Sequence, residues 1–270
     1  MNDFEKEYYE SAGFWEGDML RDPANQERIR FTTAYLPEDV HSLADIGCGN
    51  GVFVNHLLEK KPGLDILAVD RSGTALKYVR TNKLQASMFD LPLDDASFDC
   101  VTCLEVIEHL PVPVFEPSLQ QLARIAKKYI IISVPYCEDL EESHNQCPQC
   151  KTIFNYELHL RRFDEATMRN LLLPYGFKCL KTDTLGEMLK FKGHYTFRKM
   201  FYAHQFRQWK SPICPLCGYE EVGRSGHSTT APVVEKQQRS LVSYVTTLPK
   251  LFWPKEKKYY WIIALYQKET

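Results

Sequence analysis

No stretch of this sequence approaches the roughly 20 apolar residues that a membrane-crossing helix requires. Its longest apolar runs are 129–134 and 259–266. The opening MNDFEKEYYE is acidic and has no apolar core of the kind a secretory signal carries, so the expected location is the cytoplasm. Glycine is sparse, at 13 of 270 residues, and no heptad pattern is sustained, which excludes collagen-like and coiled-coil classes. A charge excess is also lacking: the net charge of −2 argues against a general nucleic-acid binder. What is present is a 44% hydrophobic, 13% aromatic composition, enough for a large buried core of one or two domains and incompatible with global disorder.

Cysteine is not scarce. The nine are an odd number in a chain with no visible secretory signal, which does not read as a disulfide framework. Four form two C-P-x-C pairs, Cys147/Cys150 and Cys214/Cys217, and the others sit in apolar stretches as small buried hydrophobes.

From residue 43 strand and helix patterns alternate. Strands are expected at 43–46, 65–69, 83–86, 98–103 and 129–134. Helical stretches are expected at 52–59, 74–79 and 118–127, with another helix starting at Glu105. Before them, Asp22 and Pro23 open a helix that runs to about Tyr35. Such alternation means βαβ units and a parallel sheet. The rhythm breaks at 135–163, resumes with a helix at 165–173 and a strand at 177–182, breaks again over about 75 residues, and ends in a β-forming run at 259–267.

Residues 45–51 read DIGCGNG, between the first strand and its helix. Glycines at 47, 49 and 51 permit a tight turn and a close backbone approach to a ligand. Position 52 is Val, so the dinucleotide fingerprint is incomplete, and the Lys-Ser/Thr of a phosphate loop is missing. Asp70 ends the second strand, where carboxylates bind ribose hydroxyls. The implied ligand is a nucleoside without a phosphate at its core.

DIGCGNG, the strand-end acid of LAVD, ASMFDLPLDDASFDCV and CLEVIEHL, in this order, resemble the class I S-adenosylmethionine-dependent methyltransferases over about residues 40–185 plus the last strand. The resemblance implies a Rossmann-like seven-stranded α/β sheet with its last strand antiparallel. By position, Asp45 and the loop Gly47, Cys48, Gly49, Gly51 hold the methionine moiety, and Asp70 takes both ribose hydroxyls with Arg71 beside it. Where the family commonly has an adenine-binding Asp this sequence has Ser87, leaving Ser87, Met88 or Asp90 to read adenine. Leu104 and Glu105 fall under the sulfonium, and the aromatic amino-terminal segment, with Tyr8 and Tyr9, resembles a cofactor lid. The expected organisation is a helical lid at 1–36, a core at 37–185 and 259–270, and insertions at 135–163 and 186–258 that form a zinc-binding substrate lid.

Thiolate pairs two residues apart suit tetrahedral Zn2+. With the family's topology both insertions leave the carboxyl edge of the sheet, so one structural zinc on Cys147, Cys150, Cys214 and Cys217 clamps them together. Two unrelated pairs, or a redox dithiol, are the other readings. Methyl transfer is an in-line displacement that needs alignment and exclusion of water. A hydroxyl acceptor also needs a base, for which His109 and His159 are the candidates, with structural roles as the alternative; His144 is placed to support the cysteine cluster. Residues 186–258 hold 13 Lys+Arg against 5 Asp+Glu, with many aromatics, whereas residues 1–185 hold 19 against 29. This stretch reads either as a lid over the core or as a surface for an anionic acceptor or a membrane interface. The expected activity is O-methylation of a small molecule or glycan, such as a sugar phosphate or lipid-linked intermediate. An RNA or protein methyltransferase is the alternative enzyme, with nucleic acid the less favoured partner, and a non-catalytic cofactor-binding scaffold is the third reading.

Overall fold

In the computed structural model the described residues are Tyr9, Glu10, Trp15, 23–191 (backbone only at 190 and 191), Cys214, 216–219 and 255–269. The expectations for Tyr8, for the Asp22 cap and for the basic-aromatic stretches within 192–213 and 220–254 lie outside them. No helix among the described residues is long and apolar enough to cross a membrane.

Seven strands form one sheet in the order β3-β2-β1-β4-β5-β9-β8. They are β1 (Ser42–Ile46), β2 (Asp65–Asp70), β3 (Asn82–Gln85), β4 (Phe98–Leu104), β5 (Ala126–Pro135), β8 (Phe177–Phe191) and β9 (Lys255–Lys268). β1 to β5 pair in parallel, and β9 runs antiparallel to both its neighbours, as expected of a Rossmann-like methyltransferase sheet. The central strands read as apolar runs because both faces are covered. On β5, Ile130, Ile132 and Val134 enter one core cluster and Ile131 the other, the period-two alternation of a strand. Helices α1 (Pro23–Tyr35) and α2 (Val52–Lys60) cover the second face through Ile29, Tyr35, Val54 and Leu57. Helices α3 (Val112–Ile125) and α4 (Glu165–Asn170) cover the first through Leu119, Leu122 and Met168. A separate hairpin, β6 (His144–Gln146) with β7 (Ile153–Asn155), lies in the 135–163 insertion.

Several elements differ from expectation: the helical stretch expected at 74–79 is a single 3₁₀ turn, Ala75–Tyr78, and the helix expected at 165–173 ends at Asn170. No helix starts at Glu105. That residue has φ +59° and its amide donates to the Ser133 carbonyl, extending the β4–β5 ladder, so only a short 3₁₀ turn, Ile107–His109, follows. The next helix begins at 112 rather than 118, after Pro111, and stops at Ile125 because Ala126 joins β5 opposite Phe98. β8 passes the expected end at 182 and reaches Phe191, so the span between it and β9 is 192–254 rather than 186–258. Gly186 has φ +67° and lies where a Cβ would stand 3.0 Å from Trp261 and Tyr260, and the strand continues beyond it.

Candidate active site

The site forms where the strand order reverses, between β1 and β4, at the carboxyl ends of the strands. The chain leaves β1 through Gly47 and Gly49, both with positive φ, and enters α2 at Gly51. A Cβ at Gly47 would stand 2.5 Å from Val106, and one at Gly49 2.8 Å from the Trp15 ring. The amides of Gly47 and Cys48 both donate to the Val69 carbonyl, at 2.8 and 3.0 Å, which binds the turn to the end of β2. There the Asp70 carboxylate accepts from the amides of Gly49 and Ser72, each at 2.8 Å. Burial nevertheless raises its pKa, against the lowering by those two amides. Asp45 is 3% exposed and accepts from the Thr102 hydroxyl at 2.6 Å across the β1–β4 pair.

These groups line a cavity of about 560 Å³. Asp45, Gly47, Cys48, Gly49, Asp70, Arg71, Ser87, Met88, Leu104, Glu105, His109 and His159 are all on its wall, so the chain brings most of the expected residues together. Two of the expected residues are not there. Gly51 turns its amide back to the Cys48 carbonyl, and its Cα packs against Val79, where a Cβ would come within 2.8 Å. The Asp90 amide closes a turn onto the Ser87 carbonyl, and the residue is exposed and off the cavity wall.

The amino-terminal residues sit over the glycine turn. The Tyr9 carbonyl accepts from Ser72 Oγ and Trp15 Nε1, and the Glu10 carboxylate accepts from the amides of Gly73 and Thr74. Tyr9 and Trp15 join the wall, with the Arg71 guanidinium 4.9 Å from the Tyr9 ring centre. Trp15 belongs to the aromatic segment expected to form a lid, whereas Glu10 and the wall residue Arg28 carry no local motif that marks them.

The wall also carries Glu105, His109, Tyr156, Glu157 and His159, with the His109 ring centre 6.4 Å from that of Tyr9. The His109 and His159 ring centres are 4.7 Å apart, edge to face. His159 Nδ1 lies 2.5 Å from the Glu138 carboxylate. Burial drives the His109 pKa down to about 3, helped by the neighbouring His159, so it is a neutral imidazole. Burial also lowers the His159 pKa, but the Glu138 hydrogen bond and charge outweigh it and the net shift is upward. His144 is not on the cavity wall; it pairs with Asn155 in the β6–β7 hairpin.

The four knuckle cysteines converge although 63 residues separate the pairs. Cys147 and Cys217 sulfurs are 3.6 Å apart, Cys150 and Cys214 sulfurs 3.7 Å, and all four are free thiols. Zn–S bonds of about 2.3 Å put tetrahedral sulfurs about 3.8 Å apart, so the donor set fits the ion. The knuckles have the same backbone: Lys151 and Gly218, both at positive φ, donate to the Cys147 and Cys214 carbonyls.

Residues 44–132 match the sequence model of a family described as a methyltransferase domain. The ubiquinone biosynthesis O-methyltransferase of Paracidovorax citrulli is 28% identical over 114 residues, which cover 38% of this chain and 46% of that protein. The ribosomal RNA large subunit methyltransferase G of Pseudoalteromonas atlantica is 38% identical over 77 residues, covering 28% and 20%. The chain thus spans about half, or less, of the length of these curated relatives. Among solved structures, a SAM-dependent methyltransferase from Archaeoglobus fulgidus superposes with a TM-score of 0.55 at 17% identity, over 94% of this chain and 96% of that one. The magnesium protoporphyrin IX methyltransferase of Synechocystis PCC 6803, with bound SAH, gives 0.53 at 18% identity, over 68% and 94%. At such identities the likeness is one of fold. The matches are to methyltransferases, the enzyme class that the sequence motifs indicate.

Proposed function

We propose that this chain is an S-adenosylmethionine-dependent methyltransferase that methylates an oxygen of a small molecule or glycan. The observation that carries the reading is Asp70: a buried carboxylate at the end of β2, steadied by two backbone amides, on the wall of a cavity whose floor is the glycine turn. Two further acceptor positions on its oxygens suit the two ribose hydroxyls. Bound S-adenosylmethionine supplies an electrophilic methyl group on a sulfonium. Asp45 and the 47–49 turn hold the methionine part, Ser87 and Met88 border the adenine, and Tyr9 with Trp15 keep water off. His109 and His159 stand where an acceptor hydroxyl loses its proton, and Glu138 orients the second. The zinc reading of the cysteine cluster belongs to the same proposal: the ion ties the two insertions into a lid on the acceptor side, without an open position for chemistry. The surplus of Lys and Arg in 186–258 favours an anionic group on the acceptor.

Calorimetry with S-adenosylmethionine tests the pocket. Asp70→Ala is expected to weaken binding 10- to 100-fold, since each lost hydrogen bond to a charged acceptor is worth about 1.5–3 kcal/mol; unchanged affinity overturns the assignment. Transfer of labelled methyl from the cofactor into a fractionated extract then separates acceptors. Label in the small-molecule or glycan fraction supports the reading. Label in RNA moves it to the class of the ribosomal RNA relative, and binding with label in no fraction moves it to a scaffold.

A further inference from the structure

Under the acceptor end of the cavity the Glu108 side chain is fully buried, and neither carboxylate oxygen has a hydrogen-bond partner among the described residues. An unpaired buried carboxylate is costly and rare in native proteins. Arg28 acts on it only from a distance and forms no ion pair with it. Beside it His109 Nδ1 is also buried without a partner, while the ring interacts with the Leu158 backbone and its Nε2 is 3.9 Å from Glu108 Oε1. His159 completes the group: ligand-capable atoms of Glu108, His109 and His159 all lie within 4.8 Å of one another. The two segments that bear them are joined by the backbone, with the Leu160 amide donating to the Glu108 carbonyl at 2.8 Å.

The surroundings are those of a cation site. His159 Nδ1 faces Glu138 at 2.5 Å and Glu157 at 3.7 Å, which leaves Nε2 as the ligand atom. A carboxylate on one ring nitrogen is the usual way of orienting a histidine whose other nitrogen binds metal. Glu105, hydrogen-bonded by Ser133 at 2.8 Å, adds a further carboxylate nearby. Two imidazoles and one carboxylate suit a divalent first-row ion and leave coordination positions open.

We propose that Glu108, His109 and His159 bind a divalent cation of the Mn2+ or Co2+ type, with Glu138 as the positioning residue for His159, and that the ion's open positions face the acceptor. This ion is separate from the one assigned to the cysteines, whose thiolates suit softer metals. The binding of the ion stands on these residues alone; its use rests on the methyltransferase reading. A hydroxyl on the ion gives up its proton to solvent more readily. Its oxygen then forms the bond to the methyl carbon, and the breaking C–S bond leaves its electron pair on sulfur as a thioether.

The test is a Mn2+ titration of the full chain, zinc-loaded at its cysteines, followed by electron paramagnetic resonance, with S-adenosylmethionine affinity measured on the same samples. About one Mn2+ per chain is expected. Glu108→Gln and His159→Ala should each weaken it at least 10-fold, and Glu138→Gln by about 10- to 100-fold, with S-adenosylmethionine affinity unchanged in the Glu108 and Glu138 variants, whose residues are off the cavity wall. His159→Ala, at the cavity wall, carries the test if Glu108→Gln does not fold. A wild-type chain that binds S-adenosylmethionine but neither Mn2+ nor Co2+, or variants that bind Mn2+ as wild type does, overturn the proposal. Mn2+ binding that the variants abolish in a chain that does not bind S-adenosylmethionine upholds the site and overturns the methyltransferase reading instead.

Discussion

Asp45 shows how a single buried side chain ties stability to ligand charge. Burial raises its carboxyl to about 7, against the hydrogen bond from Thr102 and with a further push from Asp70. Because the folded value exceeds the unfolded one, the stability linked to this group is complete below pH of about 4 and is lost as pH rises through 7. Denaturant titrations of the ligand-free protein should show a fall across that window attributable to Asp45 of up to about 4 kcal/mol, which Asp45→Asn removes. A cationic ligand favours the ionised form, so its affinity should rise with pH over the same range in the wild type and not in the variant. Gly47→Ala should cost about 1–3 kcal/mol, read as a lower melting temperature, because the φ of +78° disfavours a side chain and its Cβ meets Val106. These residues were legible in the sequence because strand, turn and strand-end acid lie close together along the chain. Glu10 was not, because it meets the chain after Asp70 across a gap that no local pattern encodes. Glu108 belonged to a motif already noted, yet its lack of partners is visible only in three dimensions.

At the scale of elements, the 135–163 insertion carries the His159 part of the cavity wall. It supplies Glu138, Tyr156, Glu157 and His159, and between them the β6–β7 hairpin with the first cysteine knuckle. The Tyr136–Phe163 bridge closes its base, and the Cys147 amide donating to Thr152 closes its tip. On the proposed zinc reading of the cysteine cluster, chelation should therefore loosen this loop selectively. Amide exchange after chelation is expected to rise across 137–160 and to stay unchanged in β1, β4 and β5, with S-adenosylmethionine affinity nearly retained and acceptor methylation lost. Exchange that rises evenly through the chain would mean that the cluster supports the whole fold. Strand positions were well legible, since buried parallel strands read as apolar runs. The helix after β4 was misjudged at both ends, because Glu105 continues a ladder through its backbone and Ala126 is claimed by β5. The extent of β8 was not legible, because beyond Thr182 its polar residues and Gly186 break the apolar run while the ladder with β9 continues to Phe191.

For the whole molecule the near-neutral total hides a partition, acidic in 1–185 and basic in 186–258. The α/β class followed from the alternation of strands and helices, and the approach of the two knuckles from the topology of the sheet; the distances between sulfurs required the structure. That topology bears on how the chain comes into being. β9 is the last strand in the sequence, yet it lies inside the sheet, between β5 and β8. β8 reaches the rest of the sheet only through it. On the ribosome β8 therefore emerges with no ladder partner, and residues 192–254, with the second knuckle, follow before one arrives. The five parallel strands, with the glycine turn and Asp70, can assemble while synthesis continues. Every residue on the cavity wall, from Tyr9 to His159, precedes β8, so the whole lining of the site is synthesised before the strand that joins β8 to the sheet.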